Sequence, residues 1–306
     1  MNNVNKLIGH SDVFNSLINL YKKKSLPSKI LITGKKGIGK FLLIEHFINF
    51  IYSLNEEFKY DLTNFEINHK NKSYILFKNN SHPNIFSINK KTDKKNIEIA
   101  QIREMILFQN KSSFNNKIRT VLIDDVEYLN LNSTNALLKS IEEPNDNLIF
   151  ILISNSERKI ADTLKSRCIE FKLSLNNEDT IKIVNNHFNE NLYNQISSDF
   201  INLYNSPSFL ISLIEFMNEN DVDYKNIRIE SFLSEIIKNG YYSKNTFITN
   251  NLNYFVELFF YKNISQPESA TFKLKDYFYF KLSQIRKYNL DIHSFFLEFE
   301  EKLLSE

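Results

Sequence analysis

The sequence predicts a parallel α/β fold followed by an all-helical region. In the first half of the chain, short apolar runs alternate with amphipathic helical patterns, which is typical of strands and helices in βαβ order. A glycine-rich stretch, "GKKGIGK", joins the first apolar run to a helical pattern and indicates a strand–turn–helix unit. After Leu175, apolar residues recur at helical spacing and strand patterns end.

The predicted strands are short apolar runs bounded by glycine, proline, asparagine or charged residues, and they cover residues 29–33, 84–88, 119–125, 147–155 and 168–173. Between them, apolar residues at a spacing of three or four predict helices over residues 39–53, 98–110, 132–144 and 160–166. In the second of these helices, the residues expected to face the core are Ile99, Ile102, Met105 and Ile106.

Two breaks divide the chain into three predicted domains. Strand patterns end near residue 174, and a weaker, polar break lies in "NENDVDY", residues 219–225. The predicted domains therefore cover residues 1–174, 175–222 and 223–306. Within the first, the Asn- and Lys-rich stretch of residues 54–82 is predicted to be a surface excursion with some local structure.

Composition restricts the classes of function. The 306 residues carry a formal net charge of +2, so no global attraction to nucleic acid or to an anionic membrane is expected. The single cysteine, Cys168, excludes an internal disulfide and a multi-cysteine zinc site, and it fits a reducing compartment. The first residues lack a basic-then-apolar signal and no long uncharged apolar run occurs, so we expect a cytoplasmic protein without a membrane partner.

The turn in "ILITGKKGIGKF" has the spacing of a phosphate-binding P-loop. Gly34, Gly37 and Gly39 would let backbone N–H groups cradle phosphates at a helix N-terminus, and Lys40 would bridge the outer phosphates. A coincidental glycine turn is the alternative, although the flanking strand and helix favour the P-loop. Phe41 stands where the motif has the hydroxyl that binds magnesium, so metal-assisted hydrolysis is predicted to be impaired.

An acidic motif, "VLIDDVE", ends the third predicted strand. Asp124 would hold magnesium through water, as in a Walker B motif. The next position normally carries a glutamate that polarises the attacking water, and here it is Asp125, whose side chain is shorter. Acids at the end of a strand also cap helices, and on this segment alone both interpretations stay open.

The segment "TLKSRCIEF" places Arg167 and Lys165 beside the lone cysteine, and in isolation these would be ordinary surface charges. Its surroundings favour a function. The segments "LIGHSDVF", "SHPNIFSI", "IREMILF", "NALLKSIEEP", "FILISN" and "LKSRC" occur in the order and spacing of bacterial clamp-loader subunits, which are AAA+ proteins. Over residues 7–172 the sequence resembles this family, and most of all the delta-prime subunits of DNA polymerase III.

The resemblance implies the identity of the three predicted domains: an AAA+ nucleotide-binding fold over residues 1–174, a helical lid over 175–222 and a helical collar over 223–306. It also implies an arginine finger. The family's Ser-Arg-Cys motif corresponds here to Ser166, Arg167 and Cys168, and its arginine reaches ATP bound on the neighbouring subunit. A planar cation near the γ-phosphate stabilises the charge of the transferring group.

The same resemblance identifies departures from an active nucleotide site. Ser154 or Asn155 occupies the sensor-1 position, and Phe209, in "NSPSFLISL", stands where hydrolysing relatives carry a sensor-2 arginine. With Phe41 and Asp125, this predicts a site that does not turn over ATP. The candidate residues of this degenerate nucleotide site are Gly34, Gly37, Gly39, Lys40, Asp124, Asp125 and Asn155.

The resemblance further implies partners and cofactors. It implies a non-hydrolysing member of a hetero-pentameric ring, beside a gamma/tau-type ATPase subunit and the delta subunit, in a bacterial cytoplasm. The ring loads the sliding clamp onto primer-template DNA. We expect no required cofactor and no metal site, and weak binding of ATP or ADP stays open. Many relatives carry a four-cysteine zinc module, which a chain with one cysteine lacks, so no zinc is expected.

Two other interpretations stay open at this level. A competent AAA+ ATPase, either the motor subunit of the same loader or another DNA-associated remodeller, would need Lys40, Asp124 and Asp125 to work without a hydroxyl at position 41. A plain interaction scaffold would have an empty nucleotide site and a dispensable Arg167. Measuring nucleotide turnover by the chain distinguishes the competent ATPase from our prediction. Substitution of Arg167 distinguishes the interaction scaffold from it.

Overall fold

The computed structural model describes residues 6–91, 94–111, 118–143, 147–155, 159–201, 205–263, 270–288 and 290–304. The chain forms two compact units, Met1–His187 and Phe188–Glu306. The first unit holds the predicted α/β fold, and the second is helical. The division of the helical region into a lid and a collar stays a prediction.

The first unit is built on a parallel sheet whose strands are β1 (Lys29–Gly34), β2 (Ile85–Ile88), β3 (Arg119–Ile123), β4 (Leu148–Asn155) and β5 (Ile169–Lys172). Their order across the sheet is β2-β3-β4-β1-β5. Each observed strand lies within about two residues of a predicted one, so the predicted parallel α/β fold is confirmed.

Helices cover both faces of this sheet, and their bounds are α1 (Ser11–Lys22), α2 (Lys40–Ser53), α3 (Lys72–Lys78), α4 (Ile99–Gln109), α5 (Leu131–Glu142), α6 (Asp162–Lys165) and α7 (Asn177–Phe188). Neighbouring residues of a strand point to opposite faces. Ile30 and Ile32 thus pack in one apolar cluster with α1, α2 and α3. Leu31 packs in a second cluster with α4, α5 and α6.

The inner face of α4 is narrower than the sequence predicts. Ile102 and Met105 are fully buried, whereas Ile99 and Ile106 are only partly buried. The reason is that α5 lies beside α4 and leaves a groove of about 400 Å³, which Ile99 and Ile106 line. The periodicity of the sequence gives the helix correctly, but it cannot show that a neighbouring helix covers only half of the apolar face.

The stretch of residues 54–82 is more than a surface excursion. It forms α3 and contributes buried Tyr60, Ile67, Tyr74 and Phe77 to the cluster around α1 and α2. The Asn71 side chain starts α3 by accepting a hydrogen bond from the backbone N–H of Tyr74 at 2.7 Å. This segment therefore forms part of the core beside the P-loop helix α2.

The second unit consists of helices packed around aromatic side chains, and its helices are α8 (Pro207–Glu219), α9 (Ile229–Asn239), α10 (Tyr241–Lys244), α11 (Thr246–Asn263), α12 (Ala270–Tyr288) and α13 (His293–Phe299). Its largest fully buried side chains are Phe200, Phe232, Phe255, Phe260, Phe278, Phe295, Phe296 and Phe299. The high aromatic content of the C-terminal region is thus largely a core. None of the described helices is both long enough and apolar enough to span a bilayer.

Arg119 is a buried cation at the start of β3, and it caps a helix. The residue is only 6% exposed. Its Nη1 donates hydrogen bonds to the carbonyl oxygens of Phe108 at 3.2 Å and Gln109 at 3.0 Å. It also donates to the carbonyl of Lys111. Carbonyls at a helix C-terminus have no partner within the helix, and a cation there also complements the helix dipole.

Replacing Arg119 by alanine should lower the free energy of unfolding by about 2 kcal/mol, because charge-assisted hydrogen bonds to buried carbonyls are lost. Urea unfolding of the purified chain measures this change. Arg103, which is exposed on α4, is the matched control, and Arg103→Ala should change stability by less than about 0.5 kcal/mol. Equal stability of the two variants would show that the cap at Arg119 contributes nothing.

Candidate functional site

The sheet order brings the predicted nucleotide-site residues to one edge. β4 lies between β1 and β3, and Gly34 at the end of β1 is paired in register with Asn155 at the end of β4. Asp124 follows the last residue of β3, at the same edge, and its N–H donates to the carbonyl of Ile88 at 2.9 Å. The carboxyl ends of parallel strands are the usual location of ligand sites in α/β folds.

The loop between β1 and α2 has the backbone conformation that its glycines allow. Gly37 and Gly39 have φ values of 78° and 90°, which side-chain-bearing residues rarely adopt. At Gly34, a Cβ atom would lie 2.7 Å from the carbonyl oxygen of Leu173, so a larger residue would collide with backbone. The P-loop shape that the sequence predicts thus depends on glycine at all three positions.

Lys40 begins α2 and turns back over this loop. Its Nζ donates to the carbonyl oxygens of Gly34 at 3.0 Å and Lys35 at 2.5 Å, and the residue is only 4% exposed. The amine therefore lies inside the loop, at the position from which a P-loop lysine reaches phosphate. The loop and its lysine fit a phosphate group.

Phe41 is partly buried and packs beside α3. Its ring stacks on Phe77 of α3, with centroids 6.4 Å apart and planes 19° apart, and it packs against the apolar cluster around α1 and α2. A phenyl ring has no donor atom for a hard cation such as magnesium, which prefers oxygen ligands. The residues at this edge thus fit a phosphate but lack the P-loop's ligand for magnesium.

The acidic residues after β3 form a connected group. The Oδ1 of Asp124 accepts the N–H of Asp125 at 2.9 Å, and Asp125 adopts a left-handed backbone conformation with φ 56°. The amide Nδ2 of Asn155 donates to Asp125 Oδ1 at 2.6 Å. Ser154, the other candidate for the sensor-1 position, is buried and donates to the carbonyl of Asn155. The Asn155 side chain thus contacts Asp125, and the Ser154 hydroxyl also lies against Glu127, the third acid of this segment.

Glu127 belongs to the same group and is absent from the sequence prediction. It is 8% exposed, and its Oε1 accepts the N–H of Asn155 at 3.0 Å. Burial raises the pKa of its carboxyl. Glu127 follows Asp124 by three residues, and only the short 3₁₀ turn Val126–Tyr128, which no sequence pattern marks, brings it back to the strand end.

Asp124 is held in an unfavourable electrostatic environment. Burial and the neighbouring charge of Asp125 raise the pKa of Asp124 from 3.8 to about 6, while Lys40 acts in the opposite direction. A carboxylate kept close to another carboxylate, at a cost to stability, is a common property of sites that bind a cation or a charged ligand.

Replacing Asp124 by asparagine should raise the free energy of unfolding at pH 7.5 by about 2 kcal/mol. An acid with a pKa of about 6 when folded and 3.8 when unfolded is protonated in both states below pH 3.8, so it imposes no cost there. The cost develops between pH 4 and 6, where the unfolded chain loses the proton first. Urea unfolding at pH 4 and pH 7.5 should therefore show most of the gain at the higher pH; no gain at pH 7.5 would contradict the assignment.

The Ser-Arg-Cys motif lies at the end of α6, and its arginine contacts neither the P-loop nor the acids after β3. Arg167 Nε donates to Glu142 Oε1 at 2.6 Å, and its Nη1 donates to the carbonyl of Thr163 at 2.8 Å. Ser166 donates its hydroxyl to the same carbonyl at 3.1 Å. The described contacts of the predicted finger are thus with Glu142 and Thr163, and not with this chain's candidate nucleotide-site residues.

Cys168 fixes this motif to the core. Its side chain packs against the apolar cluster of α4, α5 and α6, and burial raises the pKa of its thiol to about 11. A thiol with so high a pKa is not a nucleophile at neutral pH. Cys168 therefore has a packing role next to Arg167.

Phe209, at the proposed sensor-2 position, is a partly buried residue packed among aromatic rings of the second unit. Its ring lies 4.7 Å from the ring of Tyr254 and 5.6 Å from that of Phe247, measured between centroids. An aromatic residue in this environment cannot supply the charge that an arginine would.

Comparisons with known proteins find relatives among the subunits of DNA polymerase III. Residues 9–177, more than half of the chain, match the family described as "DNA polymerase III, delta subunit". The delta' subunit of DNA polymerase III from Buchnera aphidicola subsp. Schizaphis graminum is 31% identical over 188 residues, which cover 60% of this chain and 55% of that protein. The delta' subunit from Pseudomonas aeruginosa is 32% identical over 99 residues, covering 32% of this chain and 30% of that protein.

Among solved structures, a DNA polymerase III gamma subunit-related protein from Thermotoga maritima has the same fold. The TM-score is 0.52 at 13% sequence identity, and the alignment covers 93% of this chain and 96% of that one. The matches to the two curated relatives span between 30% and 55% of their lengths. Because the family match extends over more than half of the chain and both curated relatives are delta' subunits, the chain belongs to the DNA polymerase III delta subunit family, as a delta-prime-like clamp-loader subunit.

Proposed function

We propose that this chain is a non-hydrolysing clamp-loader subunit that supplies Arg167 to ATP bound on a neighbouring subunit. The observation that carries the first half of the proposal is the position of Phe41. Its partly buried ring stacks on Phe77 and offers no oxygen at the position where hydrolysing members of the fold have a hydroxyl on magnesium.

Other features of the nucleotide site support the same proposal. Asp125 replaces the longer glutamate that would polarise water, and its carboxylate is held by the amide of Asn155 at 2.6 Å. A base that is both shorter and turned toward a strand end is poorly placed to activate a water molecule. Lys40 and the three glycines keep a loop that can hold a phosphate weakly, so ATP or ADP binding without turnover is compatible with this function.

The position of Arg167 supports the second half. Its side chain is 39% exposed and lies on a short turn whose flanking residues, Leu164 and Cys168, pack in the core. An arginine on such a turn is accessible to another subunit and held at a defined place. We propose that its partner is a gamma/tau-type ATPase subunit, in a hetero-pentameric ring that also contains the delta subunit. Through this ring the chain would take part in loading the sliding clamp onto primer-template DNA.

The purified chain should not turn over ATP, alone or with clamp and primed DNA, above the rate of a Lys40→Ala control. The physical reason is the missing magnesium ligand at position 41. Release of phosphate is the measurement, with nucleotide binding followed separately. Turnover near the enzyme median of about 10 s⁻¹ that disappears in Lys40→Ala would favour the alternative, a competent AAA+ ATPase.

A further inference from the structure

Arg167 is held on one side by a carboxylate from a different helix. Glu142 is the last residue of α5, and its Oε1 accepts a hydrogen bond from Arg167 Nε at 2.6 Å. On the other side of the guanidinium, Nη1 donates to the carbonyl of Thr163 in α6 at 2.8 Å. Among the described residues, no hydrogen bond reaches Nη2 of Arg167.

The two helices that hold the guanidinium are themselves fixed. Leu164 of α6 is 1% exposed, and it packs in the same apolar cluster as Ile141, the residue before Glu142. Both helices are thus anchored in the core close to Arg167 and Glu142. The two side chains themselves are 39% and 52% exposed. The backbone on either side of this ion pair is therefore fixed, while the pair itself is accessible to a partner.

We propose that Glu142 is a positioning residue for the trans arginine finger: it holds Nε so that Nη2 of Arg167 faces the phosphates of a nucleotide on the neighbouring subunit. This inference rests on the function proposed above. An arginine side chain has several rotatable bonds, and fixing it before the ring assembles removes part of the ordering cost when the phosphate arrives.

The energy of this contact is better suited to orientation than to stability. Ion pairs exposed to this degree contribute little to the free energy of folding. A contact that adds little to the fold, but fixes the direction of a functional cation, should therefore affect the reaction in the ring more than the stability of the chain. Both effects can be measured on the same variants.

The opposite role would be a mask, in which the Glu142 carboxylate neutralises Arg167 until a phosphate displaces it. The two roles differ in what glutamine does at position 142. The amide oxygen of glutamine still accepts a hydrogen bond from Nε but carries no charge. Positioning by geometry is therefore retained in Glu142→Gln, whereas a mask is removed.

Glu170 offers a matched control for the Glu142 variants. It lies on β5, and its carboxylate pairs with Lys165, two residues before Arg167, at 3.1 Å. It also accepts a hydrogen bond from Thr33 at 2.6 Å. Glu170→Ala removes a carboxylate from the same segment of the protein but leaves both contacts of Arg167 in place.

The test is ATP hydrolysis by the loader reconstituted with clamp and primed DNA, with kcat and KM measured separately. Glu142→Ala should lower kcat by about five-fold, the upper range for exposed ion pairs, without changing KM. Glu142→Gln and Glu170→Ala should stay within about two-fold of the unmodified loader. Adding Glu142→Ala to Arg167→Ala should cause no further loss, since Glu142 acts only through Arg167.

Three results would overturn the positioning role. They are an unchanged kcat in Glu142→Ala, a further loss in the double variant, or faster hydrolysis in both Glu142 variants, which would identify a mask. The proposed function fails in a different way, because Arg167→Ala would then hydrolyse ATP at the normal rate. Thermal unfolding of Glu142→Ala and Glu142→Gln confirms that each variant is folded before its kinetics are compared.

Discussion

Replacing Arg167 by alanine should lower ATP hydrolysis by the reconstituted clamp loader by at least several-fold, and by as much as about 10³-fold. The isolated chain should keep its free energy of unfolding within about 0.5 kcal/mol, as for other exposed substitutions. The variant thus separates a role in the assembly from a role in the fold.

The contacts of Arg167 explain both halves of this expectation. In the chain itself, the guanidinium bonds to Glu142 and to the carbonyl of Thr163 at an exposed position, where such contacts contribute little to stability. Opposite a γ-phosphate, the same guanidinium would meet charge that increases as the phosphoryl group transfers, and its planar donors suit phosphate oxygens.

Lysine at this position is the sharper control for Arg167→Ala. An ammonium keeps the charge but cannot reproduce the forked contact of a guanidinium. A guanidinium can bond to Glu142 with one edge and to a phosphate with another, and an ammonium has no such edges. Arg167→Lys should therefore rescue hydrolysis poorly. A loader carrying Arg167→Ala that hydrolyses ATP and loads clamps at the normal rate would refute the finger assignment and favour a scaffold with a dispensable arginine.

Much of the first unit could be predicted because its elements have strong local signals. The apolar runs of β1, β3 and β4 are bounded by polar or turn residues, and their burial in a parallel sheet leaves little choice of structure. The shape of the P-loop could be predicted because glycines at this spacing allow backbone conformations with positive φ. Gly37 and Gly39 adopt such values.

What could not be predicted depends on contacts between distant residues. The Arg167–Glu142 pair joins positions 25 apart in sequence, and no local pattern marks Glu142 as its partner. Glu127 joins the acidic group only because a 3₁₀ turn reverses the chain after Asp125. No local pattern shows where the Phe41 side chain packs. Its stacking on Phe77 depends on α3, in a stretch whose polar composition predicts a surface excursion.

Restoring the hydroxyl at position 41 should not create an ATPase, and it should destabilise the protein. Phe41→Thr supplies the oxygen that a P-loop uses for magnesium, but Asp125 keeps its shorter side chain, and Phe209 remains at the proposed sensor-2 position. The same change removes a partly buried ring that stacks on Phe77 and packs against the core, so we expect the free energy of unfolding to fall by about 2 kcal/mol.

Phe41→Leu separates the two consequences of the Phe41→Thr change. Leucine keeps much of the apolar volume without adding a hydroxyl, so its loss of stability should be smaller, about 1 kcal/mol, and its turnover should equal that of the unmodified chain. Urea unfolding and phosphate release on both variants provide the comparison. If Phe41→Thr hydrolyses ATP in a manner that depends on Lys40 while Phe41→Leu does not, the missing hydroxyl alone silences this site. The acids after β3 would then be a functional catalytic group, since the only change would be the magnesium ligand that they normally work beside.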